Sequence, residues 1–358
     1  MNRRRLRKIW ICSDVWMDIL PSFERVELGL KMALLSDRFD VLVDKHFDGK
    51  SELTIWRPIG IRKGIGPKAK LSVRFDGKFV DFPLPERPLP NKIRFKNLYI
   101  DYIDHSVIAF LRSNKHIWDR NGTKMDLFIL NDKPVWDVLA SEIWPVFATN
   151  IRHLGIDDGH HLDNLRRLIS PTVLTDLDQL NSIGSYGLFP NAIADDWPNT
   201  TSGQALSKWL HTPSKNGQPK RLFCADYGEE VNLDWVNSFK EAFRRATASV
   251  NYKIRLELYD STPIGTFELV NDRTKEKLTL EKMLRRYGIW LLKRCPISEK
   301  AAIQWENDEN WDHNLNNVHF NLWGDKSSDG PYGRPSADEE KEEAGQSTEI
   351  SSDCAEAN

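Results

Sequence analysis

The chain has 358 residues, 40% of them hydrophobic and 28% charged, with a formal net charge of −2. Those values fit a globular protein of about two domains and exclude a disordered or collagen-like chain. The near-balance of charge gives no overall attraction to nucleic acid, and no apolar run approaches the roughly 20 residues that cross a bilayer. The balance hides an uneven distribution: from Asp325 onward there are ten acids against three bases, a net of −7, which leaves +5 for residues 1–324. Four cysteines, Cys12, Cys224, Cys295 and Cys354, stand too far apart for a zinc knuckle or redox motif. Free thiols suit a reducing compartment, so cytoplasm or nucleus is expected.

The chain opens on a basic cluster, Arg3, Arg4, Arg5, Arg7 and Lys8. It reads as a solvated terminus, with nuclear import or phosphate binding as the alternative, and lacks the apolar core and cleavage site of a signal peptide. Residues 9–47 form a first, helical domain. Val15, Trp16, Ile19, Leu20 and Phe23 share one face of a short helix, capped by Ser13 or Asp14 and limited by Pro21. Two further apolar sets follow, Val26, Leu28, Leu30, Leu34 and Leu35, then Phe39, Val41, Leu42 and Val43. About forty residues cannot bury all of this alone, so the segment packs on the rest of the chain or on another protein.

Residues 48–92 change character, with alternation in place of helical spacing. Residues 72–82 predict a hairpin about Asp76-Gly77, a pair suited to the positive φ of a two-residue turn. Gly60, Gly64 and Gly66 are read as turn residues, because no Lys-Ser/Thr follows to complete a phosphate loop. Pro83, Pro85, Pro88 and Pro90 predict a stiff connector.

Residues 93–323 are the main domain. Short β-like runs at 97–103, 126–130, 151–156, 181–186, 221–225 and 252–259 alternate with helical spacing, at intervals of about 25–40 residues, the scale of a strand-plus-helix solenoid. The predicted class is α/β (α+β overall), with an irregular leucine-rich-repeat-like succession; an ordinary α/β sandwich remains open. Further on, 252–259 and 266–270 are expected to pair, a short helix is expected near 280–286, strands at 289–295 and 318–322, and a helix at 301–311. Residues 324–358, rich in Gly, Ser, Asp, Glu and Pro, are expected to be a disordered acidic tail.

Chemistry-bearing clusters are sparse. His160-His161 with Asp157, Asp158 and Asp163 is the most metal-like, but adjacent helical residues diverge, and a solvated helix N-terminus explains the acids. Glu229-Glu230 has the same reading. Cys224 lies in an apolar strand as a small core residue rather than a nucleophile. Asn121 and Asn199 begin glycosylation sequons that mean little without a secretory signal. The basic loop after Trp209 and His211 reads as plain surface. No acid, base and binding element assemble together, so no catalytic residue, metal or cofactor is expected.

The opening segment resembles an F-box. The carrying residues are Val15-Trp16, Ile19-Leu20, Phe23, Leu28, Ala33-Leu34, Arg38-Phe39 and Leu42-Val43; Cys12-Ser13 stands where the family has a leading Leu-Pro. The blocks LGLKMALLSDRFDVLVDKHF, SVIAFLRS, SPTVL, ALSKWLHTP, PIGTFELVN and WLLKRCPI extend the likeness over most of residues 9–323, to an expanded group of F-box proteins of plant-parasitic nematodes. The resemblance implies a non-catalytic substrate receptor of a Skp–cullin–F-box ubiquitin ligase. Its partners would be a Skp-family adaptor, a cullin through that adaptor, and a target protein held by the C-terminal domain. The adaptor-facing set would be Val15, Trp16, Ile19, Leu20, Phe23, Leu28, Leu34, Phe39 and Leu42.

Overall fold

The structure, a computed structural model, describes residues 11–48, 53–64, 68–75, 77–119, 122–130, 133–191, 193–215, 217–226, 234–258, 264–283, 288–297, 315–322 and 332–333. The basic cluster at 3–8, Glu229-Glu230, the helix expected at 301–311 and nearly all of the acidic tail lie outside these residues. The fold is mixed α/β, built on one large mixed sheet.

The segment 11–48 is helical, as its apolar spacing requires. Helix α1 (Ser13–Ile19) gives way to a 3-10 turn at Leu20–Ser22, where Pro21 cannot supply an amide to an α-helical ladder. The expected side-chain cap is not made: Cys12 is the N-cap residue and Ser13 is already helical. Helix α2 (Arg25–Glu27) runs on through a π turn at Leu28–Met32 and a 3-10 turn at Ala33–Leu35. After an extended Ser36, α3 (Asp37–His46) follows. Trp16 meets Phe39 edge-on, their centroids 4.8 Å apart.

These helices are not a free-standing unit. Leu20, Val26, Leu28, Leu30, Leu42, Val43 and Phe47 are buried in the apolar core that continues under the sheet. Gly29 sits so close to the next layer that a Cβ there would lie 2.4 Å from Ile93 Cδ1. Strand β1 (Leu53–Ile55) pairs in parallel with β5 (Ile93–Phe95), a two-stranded sheet separate from the main one. The proline-rich connector between them is docked at its end: Leu89 and Pro90 are buried, while Pro83 and Pro88 are exposed, and the Leu89 amide donates to Asn114 Oδ1 at 2.7 Å.

Strands β2 (Ile59–Lys63), β3 (Ala69–Phe75) and β4 (Lys78–Pro83) form an antiparallel edge of the main sheet. The β3–β4 hairpin has Gly77 at φ +85, a value glycine adopts without a Cβ clash. Beside β2 runs β6 (Asn97–Ile100), in parallel. A short β7 (Tyr102–Ile103) pairs with β17 (Tyr332–Gly333). Then β8 (Thr123–Ile129), β9 (Ile151–Ile156), β10 (Ser182–Tyr186), β11 (Lys220–Ala225) and β12 (Tyr252–Glu257) follow. From β9 on, each lies parallel to and beside its predecessor.

Beyond β12 the sheet turns antiparallel, in the order β15 (Ile289–Pro296), β14 (Glu276–Lys282), β13 (Phe267–Asn271). Two sequence expectations fail here. β12 does not pair with residues 266–270: β15 takes its free edge, with Leu292 opposite Ile254 and Trp290 opposite Leu256. Residues 280–282 are strand rather than helix, because Leu278 and Leu280 alternate into the core along β14. A third departure is long-range. Strand β16 (Asn316–Leu322) inserts between β6 and β8, parallel to both, so the ladder is not a simple progression along the chain.

Helices α4 (His105–Ser113), α5 (Lys115–Asp119), α6 (Lys133–Val138), α7 (Trp144–Phe147), α8 (Gly159–Leu168), α9 (Val173–Asp176), α10 (Ser202–His211) and α11 (Asp234–Arg245) fill the crossovers. Side-chain caps start three of them: Asp104 on α4, Asp158 on α8, and Thr201 with Gln204 as a reciprocal capping box on α10. Among the described residues no helix is long and apolar enough to cross a membrane.

Candidate functional site

Parallel sheets in α/β proteins are usually covered on both faces, and their strands are then apolar throughout. The parallel strands here alternate instead. In β8, Thr123, Met125, Leu127 and Ile129 are buried beneath the helices, while Lys124, Asp126 and Phe128 point to the other face. β16 repeats this pattern with Val318, Phe320 and Leu322 inward. The second face carries two hollows of about 930 and 600 Å³, which share Phe128.

Residues opposite one another across the strands build this face in rows. One row runs Gly60, Tyr99, His319, Asp126, Gly155, Gly184, Phe223, Arg255 and Leu291, from β2 to β15. A second runs Lys124, His153, Ser182, Arg221, Lys253 and Lys293. His153 reaches this row through a bulge. Thr123 faces Ile151 but Lys124 faces His153, so Arg152 is the extra residue on β9. Bulges re-aim side chains in this way.

Asp126 is the centre of the polar network. His319 Nδ1 lies 3.0 Å from its Oδ2 and His153 Nε2 3.7 Å from its Oδ1, with Lys124 Nζ at 3.8 Å. Burial acts to raise the Asp126 carboxyl's pKa. The hydrogen bond to His319 and the charges of His153, Lys124 and His319 outweigh it, and the net shift is downward. His153 is shifted down to about 4, first by burial and then by the Lys124 charge, with Asp126 opposing. Its Nδ1 is 3.0 Å from Ser182 Oγ, and Tyr99 stacks on His319 with centroids 4.6 Å apart. The carboxylate fits only because Gly155 is bare: a Cβ there would lie 2.1 Å from Asp126 Oδ1. Gly155 and Gly184 together form the floor of the smaller hollow.

The two hollows differ in charge. Among the described lining residues, the smaller one has Lys124, Arg221, Lys253 and Arg255 beside Asp126, and Arg255 pairs with Glu257. In the larger, Arg57, Arg62 and Arg74 face Asp101 and Asp157. Arg62 is 3.3 Å from Asp101 and lies over the Phe79 ring. Among the described residues this is a shallow surface of basic, acidic and aromatic side chains. Of these residues sequence reading singled out Asp157 alone, as part of the metal-like cluster. The signal was present in the period-2 alternation of 123–129, 151–156 and 252–257, strands read there simply as apolar runs.

The sequence-derived adaptor set is divided by the fold. Leu20, Leu28 and Leu42 are buried and hold residues 11–48 onto the sheet, which corrects their assignment to an outward face. Trp16, Ile19, Phe23, Leu34 and Phe39 are half-buried. Val15 is exposed at 45%, and two neighbours outside the set, Leu35 and Val41, are more exposed still, at 63% and 65%.

The metal-like cluster also resolves differently. His161 is not solvated: it is buried, its Nδ1 2.8 Å from Asp158 Oδ1, while its Nε2 accepts from the Ile129 amide. It fastens the end of β8 to α8. Among the described residues no group of His, Cys, Asp and Glu is placed to hold a metal. Cys224 is buried, and burial pushes its thiol up to about 12 against a small opposing effect of the Ser185 hydrogen bond. Where the loop after α10 ends and β11 begins, Lys220 points inward and donates to Trp209 O; burial lowers its pKa to about 8. The chain matches no protein-family model, no curated protein and no solved structure.

Proposed function

We propose that the chain is a substrate-receptor subunit of a Skp–cullin–F-box ubiquitin ligase, with residues 11–48 docking on a Skp-family adaptor and the open sheet face holding a target protein. The observation that carries the reading is the pair of partner-ready surfaces on one chain. An F-box-like helical segment leaves Val15, Leu35 and Val41 exposed, and among the described residues no helix covers the second face of the parallel strands. The succession β8 to β12, each strand returned through helices on the covered side, is of the leucine-rich-repeat-like kind, and such repeats present extended binding surfaces. Burying a large apolar side chain fully contributes roughly 1.5–3 kcal/mol, so a few anchors of this kind suffice for an adaptor complex. In this reading the chain itself performs no chemistry; it raises the target's effective concentration beside the catalytic subunits.

Co-purification with a Skp-family adaptor tests it. The triple variant Val15→Asp, Leu35→Asp, Val41→Asp changes exposed positions and should abolish adaptor capture while leaving the helical circular dichroism intact. Failure of the unaltered chain to capture an adaptor would favour a non-catalytic scaffold or effector with no ligase link.

A further inference from the structure

We infer that the turn at residues 195–200 presents Trp197 as a preformed anchor for a partner protein, one that offers an apolar socket rimmed by Arg or Lys side chains. The inference goes beyond the receptor reading and does not rest on it, because the turn is fastened to the helices and not to the open sheet face.

Trp197 is 71% exposed, the most exposed large apolar side chain among the described residues, and Ile193 in the same connection between β10 and α10 is 63% exposed. A lone apolar side chain on a surface is ordinary, but this one stands on a turn that is fixed from several sides. The Trp197 carbonyl accepts from the Thr200 amide at 3.1 Å, the Thr200 hydroxyl at 2.8 Å and Arg166 Nη2 at 2.8 Å. Asp195 Oδ1 accepts from the Asp196 and Trp197 amides at 2.8 and 3.3 Å. Arg166, buried on α8, also donates to Thr200 O and Oγ1, and Thr175 on α9 donates to Asp196 Oδ2 at 3.2 Å. A buried guanidinium is costly unless such bonds replace its water, and here they hold the turn. The loop is therefore ordered before any partner arrives, which removes a cost of binding. A rigidly held tryptophan is the side chain that most often dominates an interface.

The charge around the indole selects the socket. From Leu168 to Ser207 the chain has four acids, Asp176, Asp178, Asp195 and Asp196, and neither Lys nor Arg. Lys215 pairs with Asp178. Asp195 and Asp196 accept from amides and from the Thr175 hydroxyl, all neutral donors, and among the described residues no cation pairs with either. An indole beside two such carboxylates matches an apolar pocket with a basic rim, since complementary potentials favour the right partner. A second copy of the chain fits poorly. A two-fold contact through this turn sets Asp195 and Asp196 against their own counterparts, and like charges so placed are costly.

A β-cyclodextrin is an apolar socket of known rim chemistry, and ammonium-rimmed, neutral and carboxylate-rimmed forms are the probes. The full chain is labelled with fluorotryptophan, and the Trp197 resonance is identified by its loss in Trp197→Phe. A saturable shift of that resonance is expected, with the ammonium form bound about threefold or more tighter than the carboxylate form, an ordinary size for exposed charges. Raised salt should shrink the difference. Asp195→Asn with Asp196→Asn keeps the turn's oxygen acceptors and should erase it, and thermal melts confirm that each variant is folded. Equal binding of the three forms, a difference that survives the double variant, or no saturable shift overturns the inference. A photo-cross-linking residue in place of Ile193 then reads the protein partner, in an extract of the cells that express the chain. The expected adduct is competed away by the ammonium form, is untouched by the carboxylate form, and is lost in Trp197→Ala. No such adduct, or one indifferent to Trp197→Ala, overturns the inference. So does a dimer in sedimentation velocity that Trp197→Ala dissociates, because the occupant is then a second copy.

Discussion

Replacing Glu276 by alanine should remove about 3–5 kcal/mol of stability, the usual cost of stranding one member of a buried ion pair. The Glu276 and Arg294 side chains are only 1% and 3% exposed. Arg294 reaches Glu276 Oε2 with Nε at 3.0 Å and Nη2 at 2.7 Å. The other carboxylate oxygen accepts from the Val250 amide and the Ser249 hydroxyl, both at 2.8 Å. The guanidinium also donates to Ala248 O and lies 5.3 Å from the Phe243 ring centroid. One carboxylate therefore fastens β14 to β15 and both to the chain entering β12, the strands that present Lys253, Arg255 and Lys293. Alanine leaves a buried cation and the buried Val250 amide without it.

Urea unfolding measures the loss as a lower midpoint at unchanged slope, and amide exchange at Val250 should accelerate. The double variant Glu276→Met, Arg294→Met removes the stranded charge and should recover much of the deficit. It should remain about 1–3 kcal/mol below the unaltered chain, because the buried Val250 amide loses its partner. A single-variant loss under about 1 kcal/mol, with Val250 exchange unchanged, would refute the reasoning.

Three further outcomes follow from the same geometry. Gly29→Val should destabilise by about 1–3 kcal/mol through overpacking, and Ile93→Val should restore part of it in a double-mutant cycle; independent effects would show that the close approach is not limiting. His153 has a folded pKa near 4 against 6.5 for the free side chain, so the unfolded chain protonates first. Its contribution is fully present above pH 6.5 and is lost as pH falls toward 4, roughly 3 kcal/mol for the whole shift at 1.36 kcal/mol per unit. His153→Gln should flatten that part of the stability profile in pH-stepped urea titrations, and an unchanged profile would assign the acid sensitivity elsewhere. The adaptor prediction differs from the sequence-derived one in its residues: Leu20→Asp should unfold the helical segment, whereas Val15→Asp should only lose adaptor, as paired capture and melting experiments would show.

Local signals carried most of the secondary structure. Asp104 and the period of Val107, Ile108 and Leu111 marked α4, and the alternation about Gly77 marked the β3–β4 hairpin. What stayed hidden was pairing between distant segments. Val318, Phe320 and Leu322 announce a strand, but nothing in a seven-residue run says that it lies between residues 97–100 and 123–129. Tyr252, Ile254 and Leu256 likewise suit any apolar partner, and the nearest in sequence was not the one used. The site was lost for a related reason. Asp126 and His319 come from elements almost two hundred residues apart, and His153 reaches them through a bulge, which shifts the face of one residue without altering composition. In residues 11–48 the apolar periodicity was clear. It could not separate Leu20, which binds the segment to the core, from Val41, which does not.

The inserted strand bears on how the two proposed surfaces communicate. β2 and β6 belong to the stretch that follows the helical segment, while β8 to β12 carry the smaller hollow; β16 joins these halves by pairing with both β6 and β8. Its His319 and Asn321 also complete the open face, through Asp126 and Asp101 respectively. The helical segment is seated on the same assembly by Gly29 against Ile93 and by Lys92 donating to Asp44 O at 3.2 Å. In the receptor reading, a target on the open sheet face then sits on the same packed assembly as the adaptor-facing helices. A receptor of this kind gains effective concentration from rigidity rather than linker length. Loosening β16, for example with Phe320→Ala at a fully buried position, should therefore reduce ubiquitin transfer to a bound target more than it weakens either binding event alone.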